Sequence, residues 1–315
     1  MKRKSIIISL KGLYLSSEEK NLIRKEKPWG IILFKRNIAT FDQVKKLISL
    51  IRKTAKDKKF PIFVDEEGGT VSRLSHLVDN KVYSQNFFGK LFENKKVLAL
   101  DLYKNYLNAI CSLLREIGIN INTIPVLDIL NKDTNRIIGS RSYSKNLNTI
   151  KSLGNLCIKE YKKNKIATVI KHIPGHGSSK SDSHKVLPII NKNYNYLKIR
   201  DFKCFKNMNS HFAMTAHILY KKLDSKNVCT HSKYIIHEII RKKIGYKGII
   251  VSDDITMKAL KYDLVTNAKK SLEAGCNLVL YCGGKYNESL KLIREMPIID
   301  NFMRKKTSEL YKFLS

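Results

Sequence analysis

The stretch Lys171–His184 reads KHIPGHGSSKSDSH and concentrates side chains that could do chemistry. Asp182 and His184 are two positions apart, so in an extended segment both point to the same side, and the carboxylate can orient the imidazole and stabilise its charge. Such a pair could donate a proton and later remove one from water. The alternative is that Asp182 only makes an Asx-type turn. Spacing by itself leaves both interpretations open.

Charged residues also follow other apolar runs of the chain. They are Asp65-Glu66-Glu67 with Arg73, then Asp128 with Arg141, then Lys171-His172, then His217, and finally Asp253-Asp254. Each has an ordinary explanation when taken alone, as a helix cap or a loop hydrogen-bonding group. Folding does not require charged groups after so many consecutive runs, however. Their recurrence at the ends of consecutive apolar runs therefore predicts that these charged residues form a functional site.

The mixture of carboxylates, lysine, arginine and histidine suits a ligand with many hydroxyl groups, because charged partners strengthen hydrogen bonds to each hydroxyl. Glycoside cleavage needs a carboxylate against the anomeric carbon and a proton donor near the leaving oxygen. Asp253 is a candidate for the carboxylate, since a strand end can hold it rigidly. The Asp182–His184 pair is a candidate for the proton donor.

The elements that must position these groups are eight short apolar runs separated by helical patterns. The runs lie at 5–9, 30–34, 61–65, 121–126, 167–171, 211–216, 248–253 and 276–281. The intervening patterns include a capping box at Thr40 and Gln43, an irregular part at 75–90 and a helix near 95–117. Buried strands alternating with helices indicate a parallel sheet, and eight such units predict an α/β fold, a single-domain (β/α)8 TIM barrel over residues 1–315.

Composition limits the function classes. The chain has 315 residues, 43% of them hydrophobic, and a net charge of +33 from 60 Lys and Arg against 27 Asp and Glu. The basic residues are scattered, without a basic tail, so we expect a solvated basic surface and no nucleic-acid partner. The six cysteines show no CxxC spacing and are expected to be reduced core residues, neither disulfides nor a zinc site.

The N-terminus reads MKRKSIIISLKGLYL, in which a basic cluster precedes apolar residues. The apolar run is too short for a signal peptide and no small-residue cleavage site follows it. No run of about 18 apolar residues is present, as a membrane-spanning helix would need. We therefore expect a cytoplasmic protein without a membrane partner.

Five segments together resemble a known family. VDEEGGTVSRL, IGSRSY, KHIPGHGSSKSDSHKVLP, MTAHILY and VSDDITM look like the signature segments of glycoside hydrolase family 3 β-N-acetylglucosaminidases of the peptidoglycan-recycling type, in the same order. The resemblance spans roughly residues 30 to 282. It implies a retaining hydrolase that removes terminal β-linked N-acetylglucosamine from cell-wall fragments in the cytoplasm, without a metal or other cofactor. The implied partner of the protein is a sugar or muropeptide substrate, and we expect the protein to be a monomer.

The resemblance also assigns roles to residues of this chain. Asp253 matches the nucleophile, His184 the acid/base and Asp182 its partner. The resemblance alone favours Asp253 over its neighbour Asp254. The sugar-binding positions of the family match Asp65, Arg73, Arg141, Lys171 and His172. His176 receives no role, and Gly175 and Gly177 are expected to loosen the loop that carries His184.

The chain departs from the family pattern at three positions. Glu66 stands where Gln is usual, Thr70 where Arg is usual, and Ile173 where Phe is usual. These departures bear on specificity more than on activity. Two other functions are alternatives: a β-glucosidase or β-xylosidase of the same family, and a basic polyanion-binding protein on a barrel scaffold. The dyad and the early end of the chain after the eighth strand favour the N-acetylglucosaminidase.

Overall fold

The computed structural model describes residues 2–131, 138–179 and 186–315. Within these ranges, eight parallel strands close into a barrel. They are β1 (Lys4–Ser9), β2 (Pro28–Leu33), β3 (Ile62–Val64), β4 (Ile121–Asn122), β5 (Ala167–Ile173), β7 (Phe212–Thr215), β9 (Ile249–Asp254) and β10 (Leu278–Tyr281). Their order around the barrel is β1-β10-β9-β7-β5-β4-β3-β2. A separate pair, β6 (Ile189–Ile190) and β8 (Leu219–Tyr220), lies outside the barrel. The predicted (β/α)8 barrel is confirmed.

Helices connect the strands. They are α1 (Ser17–Lys25), α2 (Phe41–Ala55), α3 (Gln85–Asn94), α4 (Lys96–Ile117), α5 (Leu147–Lys163), α6 (Tyr194–Ile199), α7 (Asp201–Phe205), a π-helix (Ile235–Ile244), α8 (Leu264–Ala274), α9 (Tyr286–Glu295) and α10 (Asn301–Phe313). The prediction that the region 75–90 is irregular is wrong for its last part, where α3 begins at Gln85. Ser84 caps this helix by accepting a hydrogen bond from the backbone N–H of Phe87.

The predicted capping box of α2 is half right. The hydroxyl of Thr40 accepts from the backbone N–H of Gln43, as an N-cap should. The Gln43 side chain reaches one residue further back, where its Oε1 accepts from the N–H of Ala39. Its amide nitrogen donates to the carbonyl of Leu13, which joins α2 to the loop after β1.

Two layers of apolar side chains hold the barrel together. The inner layer fills the barrel and includes Trp29, Phe63 and Phe212, whose ring centroids lie 5.6–6.0 Å apart. The outer layer lies between strands and helices and draws on Val44, Leu47, Ile48 and Ile51 of α2, among many others. Both faces of each barrel strand are therefore buried, which explains the continuous apolar runs in the sequence.

Helix α10 closes the amino-terminal end of the barrel. Its Met303 and Leu310 pack in the inner layer, and the indole Nε1 of Trp29 donates to the hydroxyl of Thr307 at 3.0 Å. The opposite, carboxyl-terminal end is therefore the one at which side chains can meet a ligand. In the described ranges, no helix combines the length and apolar character needed to cross a bilayer.

Candidate active site

A cavity of about 560 Å³ opens at the carboxyl-terminal end of the barrel. Its walls include six of the eight predicted site residues: Asp65, Arg73, Arg141, Lys171, His172 and Asp253. The strand ends thus bring together groups that are 188 positions apart at the extremes, from 65 to 253. Its volume is within the range of small-molecule sites. Asp182 and His184 lie outside the described residues.

Asp65 follows β3 and is held between two cations. Its Oδ1 lies 3.3 Å from Lys171 Nζ and its Oδ2 lies 3.3 Å from Arg73 NH2, and the Thr123 hydroxyl also donates to Oδ1. Burial would raise the pKa of this carboxyl, but the charges of Lys171 and Arg73 outweigh it and hold the pKa well below its usual range. Asp65 is therefore ionised and can accept hydrogen bonds from sugar hydroxyls.

Glu67 was not among the predicted site residues, yet it organises two of them. It is buried, and its carboxylate receives two bonds from Arg141, from Nε at 2.8 Å and NH2 at 2.8 Å. Lys171 Nζ lies 2.5 Å from the same carboxylate. Burial opposes ionisation, but these two cations lower the pKa of Glu67 to about 2. The sequence did carry a signal, since alternate residues of an extended segment share a side and Glu67 is two positions from Asp65.

His172 is oriented by Asp128, which sits at the end of the fourth apolar run. His172 Nδ1 lies 2.7 Å from Asp128 Oδ2, and the backbone N–H of His172 also donates to this carboxylate. When Nδ1 carries the hydrogen, Nε2 is the nitrogen left to meet a ligand. Nε2 lies 3.5 Å from Arg141 NH2. Asp128 is therefore a positioning residue that the sequence marked only as a strand-end carboxylate.

Asp253 and Asp254 end β9 in different environments. Asp253 Oδ1 accepts the backbone N–H of Asp254 at 2.8 Å. Burial raises the pKa of Asp253, but the neighbouring His172 and His217, this hydrogen bond and the charge of Lys171 bring it below the usual value. The carboxylate of Asp254 instead accepts bonds from the Thr256 backbone and hydroxyl and from the N–H of Cys282, while burial raises its pKa.

His217 follows β7 and contacts the end of β9. Its Nε2 lies 3.0 Å from the carbonyl oxygen of Asp254, and its Nδ1 lies 2.7 Å from the Thr230 hydroxyl. The carbonyl can only accept, so Nε2 carries a hydrogen, and the Thr230 hydroxyl beside Nδ1 also donates to the carbonyl of Ala216. Burial lowers the pKa of His217, against the opposing charges of Asp253 and Asp254.

Gly175 and Gly177, in the segment that follows β5, have a packing role. A Cβ on Gly177 would lie 1.8 Å from the carbonyl oxygen of Ile129, and one on Gly175 would lie 2.7 Å from Cβ of Asp201. Gly175 also has a φ of +138°, which other residues rarely adopt. Glycine is therefore required here by close backbone approach, a reason that differs from the loosening expected from the sequence.

The described residues include no cluster of three His, Cys, Asp or Glu side chains arranged to hold a metal ion. All six cysteines are free thiols. The side chains that line the cavity are two ionised carboxylates paired with cations, a strand-end carboxylate, and a histidine with one ring nitrogen available. Such a set can bind hydroxyl groups and present a nucleophile.

Comparison with known proteins agrees with this arrangement. Residues 6–302 match the model of the glycosyl hydrolase family 3 N terminal domain. A β-hexosaminidase of Haemophilus influenzae is 32% identical over 93% of this chain and 85% of its own length. One of Psychromonas ingrahamii is 29% identical over 97% of this chain and 88% of its own length. NagZ from Neisseria gonorrhoeae, solved in complex with N-trifluoroacetyl-D-glucosamine, superposes with a TM-score of 0.88 at 27% identity, covering 100% of this chain and 90% of that one. The chain therefore belongs to glycosyl hydrolase family 3, and it is a β-N-acetylhexosaminidase.

Proposed function

We propose that this enzyme removes terminal β-linked N-acetylglucosamine from peptidoglycan fragments, including GlcNAc-anhydro-N-acetylmuramyl peptides, during cell-wall recycling. The observation that carries the proposal is Asp253, an ionised carboxylate on the rigid end of β9, facing the same cavity as Lys171, Arg141 and His172. We propose further that residues 1–315 act as one catalytic domain and as a cytoplasmic monomer. No metal, other cofactor, nucleic acid or membrane takes part in this proposal.

In the first step, an Asp253 oxygen attacks the anomeric carbon and the bond from that carbon to the leaving oxygen breaks. His184 gives its proton to the leaving oxygen, while Asp182 stabilises the charged imidazole. In the second step, His184 takes a proton from water, the water oxygen bonds to the anomeric carbon, and the ester to Asp253 breaks. Two inversions give net retention. The roles of His184 and Asp182 come from the sequence motif, because both residues lie outside the described ranges.

Asp253 is the better nucleophile of the neighbouring pair. A nucleophile must be ionised and free to approach carbon. The side chain of Asp253 accepts one backbone hydrogen bond and keeps a low pKa. Asp254 has three donors on its carboxylate and a raised pKa, so its oxygens are used in holding the strand end. This asymmetry supports an assignment that otherwise depends on the family pattern.

The cations and carboxylates around Lys171 fit the grip on the terminal sugar. Lys171 Nζ donates to the Thr123 hydroxyl at 2.8 Å and also meets Asp65 and Glu67, so it is fixed in place before a ligand arrives. Asp65, Arg73, Arg141 and His172 surround it in the cavity wall. A preorganised set of charged donors and acceptors lowers the cost of binding a sugar with several hydroxyl groups.

The test is mass spectrometry of products after purified muropeptides are incubated with the enzyme. The proposal expects free N-acetylglucosamine and the matching anhydro-N-acetylmuramyl peptide, and neither product from the Asp253→Ala variant. Cleavage of nitrophenyl N-acetylglucosaminide without release from muropeptides would refute the cell-wall substrate. A higher rate on nitrophenyl glucoside than on nitrophenyl N-acetylglucosaminide would favour the β-glucosidase alternative.

A further inference from the structure

His176 is the histidine of the opening motif to which the mechanism gives no role. It lies in the cavity wall and is only 3% exposed. Its backbone N–H donates to Asp128 Oδ1 at 2.6 Å, which fixes the position of its Cα. Its ring is 5.7 Å from the ring of His172, centroid to centroid, at an angle of 67°. His176 is therefore rigidly placed beside a residue proposed to bind the sugar.

The ring nitrogens of His176 lack partners within the described part of the chain. Nδ1 is sealed from solvent and has no hydrogen bond. Nε2 is not among the sealed atoms, so it is the nitrogen that the cavity reaches. Buried polar groups in native proteins are nearly always paired, so an unpaired ring in a ligand cavity calls for a ligand.

The position of the ring hydrogen follows from the same geometry. Burial lowers the pKa of His176 to about 4, and the nearby charges of His172 and Arg141 act in the same direction against the opposing charge of Asp128. At neutral pH the ring thus carries one hydrogen. A hydrogen on the sealed Nδ1 would find no acceptor in the described part of the chain, whereas a hydrogen on Nε2 can meet an acceptor of a bound ligand. Nε2 carries it and faces the cavity as a donor.

We propose that His176 contacts the substrate and determines its specificity, donating the Nε2–H to the carbonyl oxygen of the 2-acetamido group. Among the exocyclic groups of N-acetylglucosamine, each hydroxyl both donates and accepts, whereas the amide carbonyl oxygen only accepts. A neutral donor on the cavity wall complements that oxygen. The inference rests on the proposed function, because it places the terminal sugar in this cavity.

Three substitutions separate the two ring nitrogens from the ring volume. In His176→Gln the amide nitrogen reaches the position of Nε2, in His176→Asn it reaches that of Nδ1, and His176→Phe keeps a ring without nitrogen. The measured quantity is kcat/KM on nitrophenyl N-acetylglucosaminide divided by that on nitrophenyl glucoside. The Asn and Phe variants should lower this ratio about tenfold, the effect of losing one neutral hydrogen bond, and the Gln variant should restore most of it.

A matched control is His237→Phe, since His237 is exposed on the π-helix, and it should leave the ratio unchanged. An unchanged ratio in His176→Phe would overturn the inference and leave the ring a packing role. Rescue by Asn and not by Gln would also overturn it, because it would identify Nδ1 as the working atom. A wild-type enzyme inactive on the N-acetylglucosaminide would instead refute the proposed function.

Nuclear magnetic resonance of the wild-type enzyme covers the case in which the variants fail to fold. The ¹⁵N signal of His176 Nε2 should show an attached hydrogen in the free protein and should shift when N-acetylglucosamine is added. Glucose, which lacks the carbonyl, should produce a smaller shift at saturation. Equal shifts with the two sugars, or a hydrogen on Nδ1, would contradict the proposal.

Discussion

The guanidinium of Arg141 and the carboxylate of Glu67 form two parallel hydrogen bonds, Nε to Oε2 at 2.8 Å and NH2 to Oε1 at 2.8 Å. The side chain of Glu67 is 1% exposed and that of Arg141 is 11% exposed, so both charges are largely removed from water. Lys171 shares the same carboxylate. Two proposed sugar-binding cations are thus fixed by a residue that is itself too buried to reach bulk solvent.

Glu67→Gln should therefore reduce both stability and activity. The substitution keeps the shape but leaves two buried cations with less compensation, so the free energy of unfolding should fall by about 3 kcal/mol. The kcat/KM on nitrophenyl N-acetylglucosaminide should fall with it, because Arg141 and Lys171 lose their common anchor. Denaturant unfolding and steady-state kinetics give the two values. Glu116→Gln, at an exposed pair with Lys45, is the control and should change neither, and equal behaviour of the two variants would contradict the role of Glu67.

The neighbouring carboxylates of β9 should differ sharply in their effect on catalysis. Asp253→Asn should lower kcat about a thousandfold or more, equivalent to roughly 4 kcal/mol of activation free energy, because it removes the nucleophile. Asp254→Asn should cost about tenfold, since it weakens hydrogen bonds that hold the strand end. Steady-state rates on nitrophenyl N-acetylglucosaminide check both. A larger loss in Asp254→Asn than in Asp253→Asn would reverse the assignment.

Asp201 should make stability depend on pH. It is buried behind Gly175, its Oδ2 accepts from the Ser178 hydroxyl at 2.9 Å, and its Oδ1 has no partner in the described ranges. Burial, with a contribution from the charge of Asp128, raises its pKa to about 7, whereas Arg200 opposes the rise. Between the ordinary pKa of an aspartate, which applies to the unfolded chain, and the raised pKa in the folded protein, the folded state therefore holds a proton that the unfolded state has lost.

The free energy of unfolding should therefore fall as pH rises from about 4 to 7. Over that interval the Asp201 contribution to the free energy of unfolding should drop by about 1.4 kcal/mol per pH unit, and it should be constant above pH 7. The difference in unfolding free energy between wild type and Asp201→Asn isolates it from other carboxyls. A difference that does not change with pH would show that Asp201 is ionised in the folded protein.

Glu66 should position Arg73 through the backbone. Its Oε2 accepts from the N–H groups of Arg73 and Leu74 and from the Ser72 hydroxyl, at 2.8–3.1 Å. Its Oε1 accepts from Asn80 Nδ2 at 2.6 Å. Glu66→Ala leaves these donors unpaired, so the free energy of unfolding should fall by about 3 kcal/mol and KM should rise.

Glu66→Gln provides the matched comparison. One amide oxygen can keep the three donors now on Oε2, and the amide nitrogen can donate to Oδ1 of Asn80 after that side chain rotates. Oδ1 of Asn80 is buried and unpaired among the described residues, so it can accept this bond. The Gln variant should retain KM near the wild-type value and lose at most about 1 kcal/mol. Losses equal to those of the Ala variant would contradict this account.

The barrel could be predicted from the sequence because each strand is buried on both faces and reads as an apolar run. The site was predicted in part, since the strand ends identify Asp65, Lys171 and Asp253 through a rule that depends only on chain direction. The sequence could not show which of the three adjacent acidic residues at 65–67 has which role. Glu66 turns into its own loop and Glu67 turns toward Arg141, a difference that depends on contacts with distant segments.

His176 and helix α3 were missed for different reasons. The sequence places His176 between two glycines, but the absence of partners for its ring among the described residues is a property of the folded cavity wall and has no local signal. Helix α3 was missed although its sequence carries a local signal: Ser84 stands at the N-cap, and Phe87, Phe88, Leu91 and Phe92 recur at helical spacing. A Cβ on its Gly89 would lie 1.8 Å from the carbonyl oxygen of Tyr143, so that face must approach another backbone closely.

The most direct test of the mechanism is to trap the glycosyl-enzyme. The enzyme is inactivated with 5-fluoro-N-acetylglucosaminyl fluoride, which slows breakdown of the covalent intermediate, and the labelled peptide is sequenced by tandem mass spectrometry. The account predicts a single sugar ester on Asp253. A label on Asp254 or on any other residue, or turnover without a covalent sugar, would contradict it.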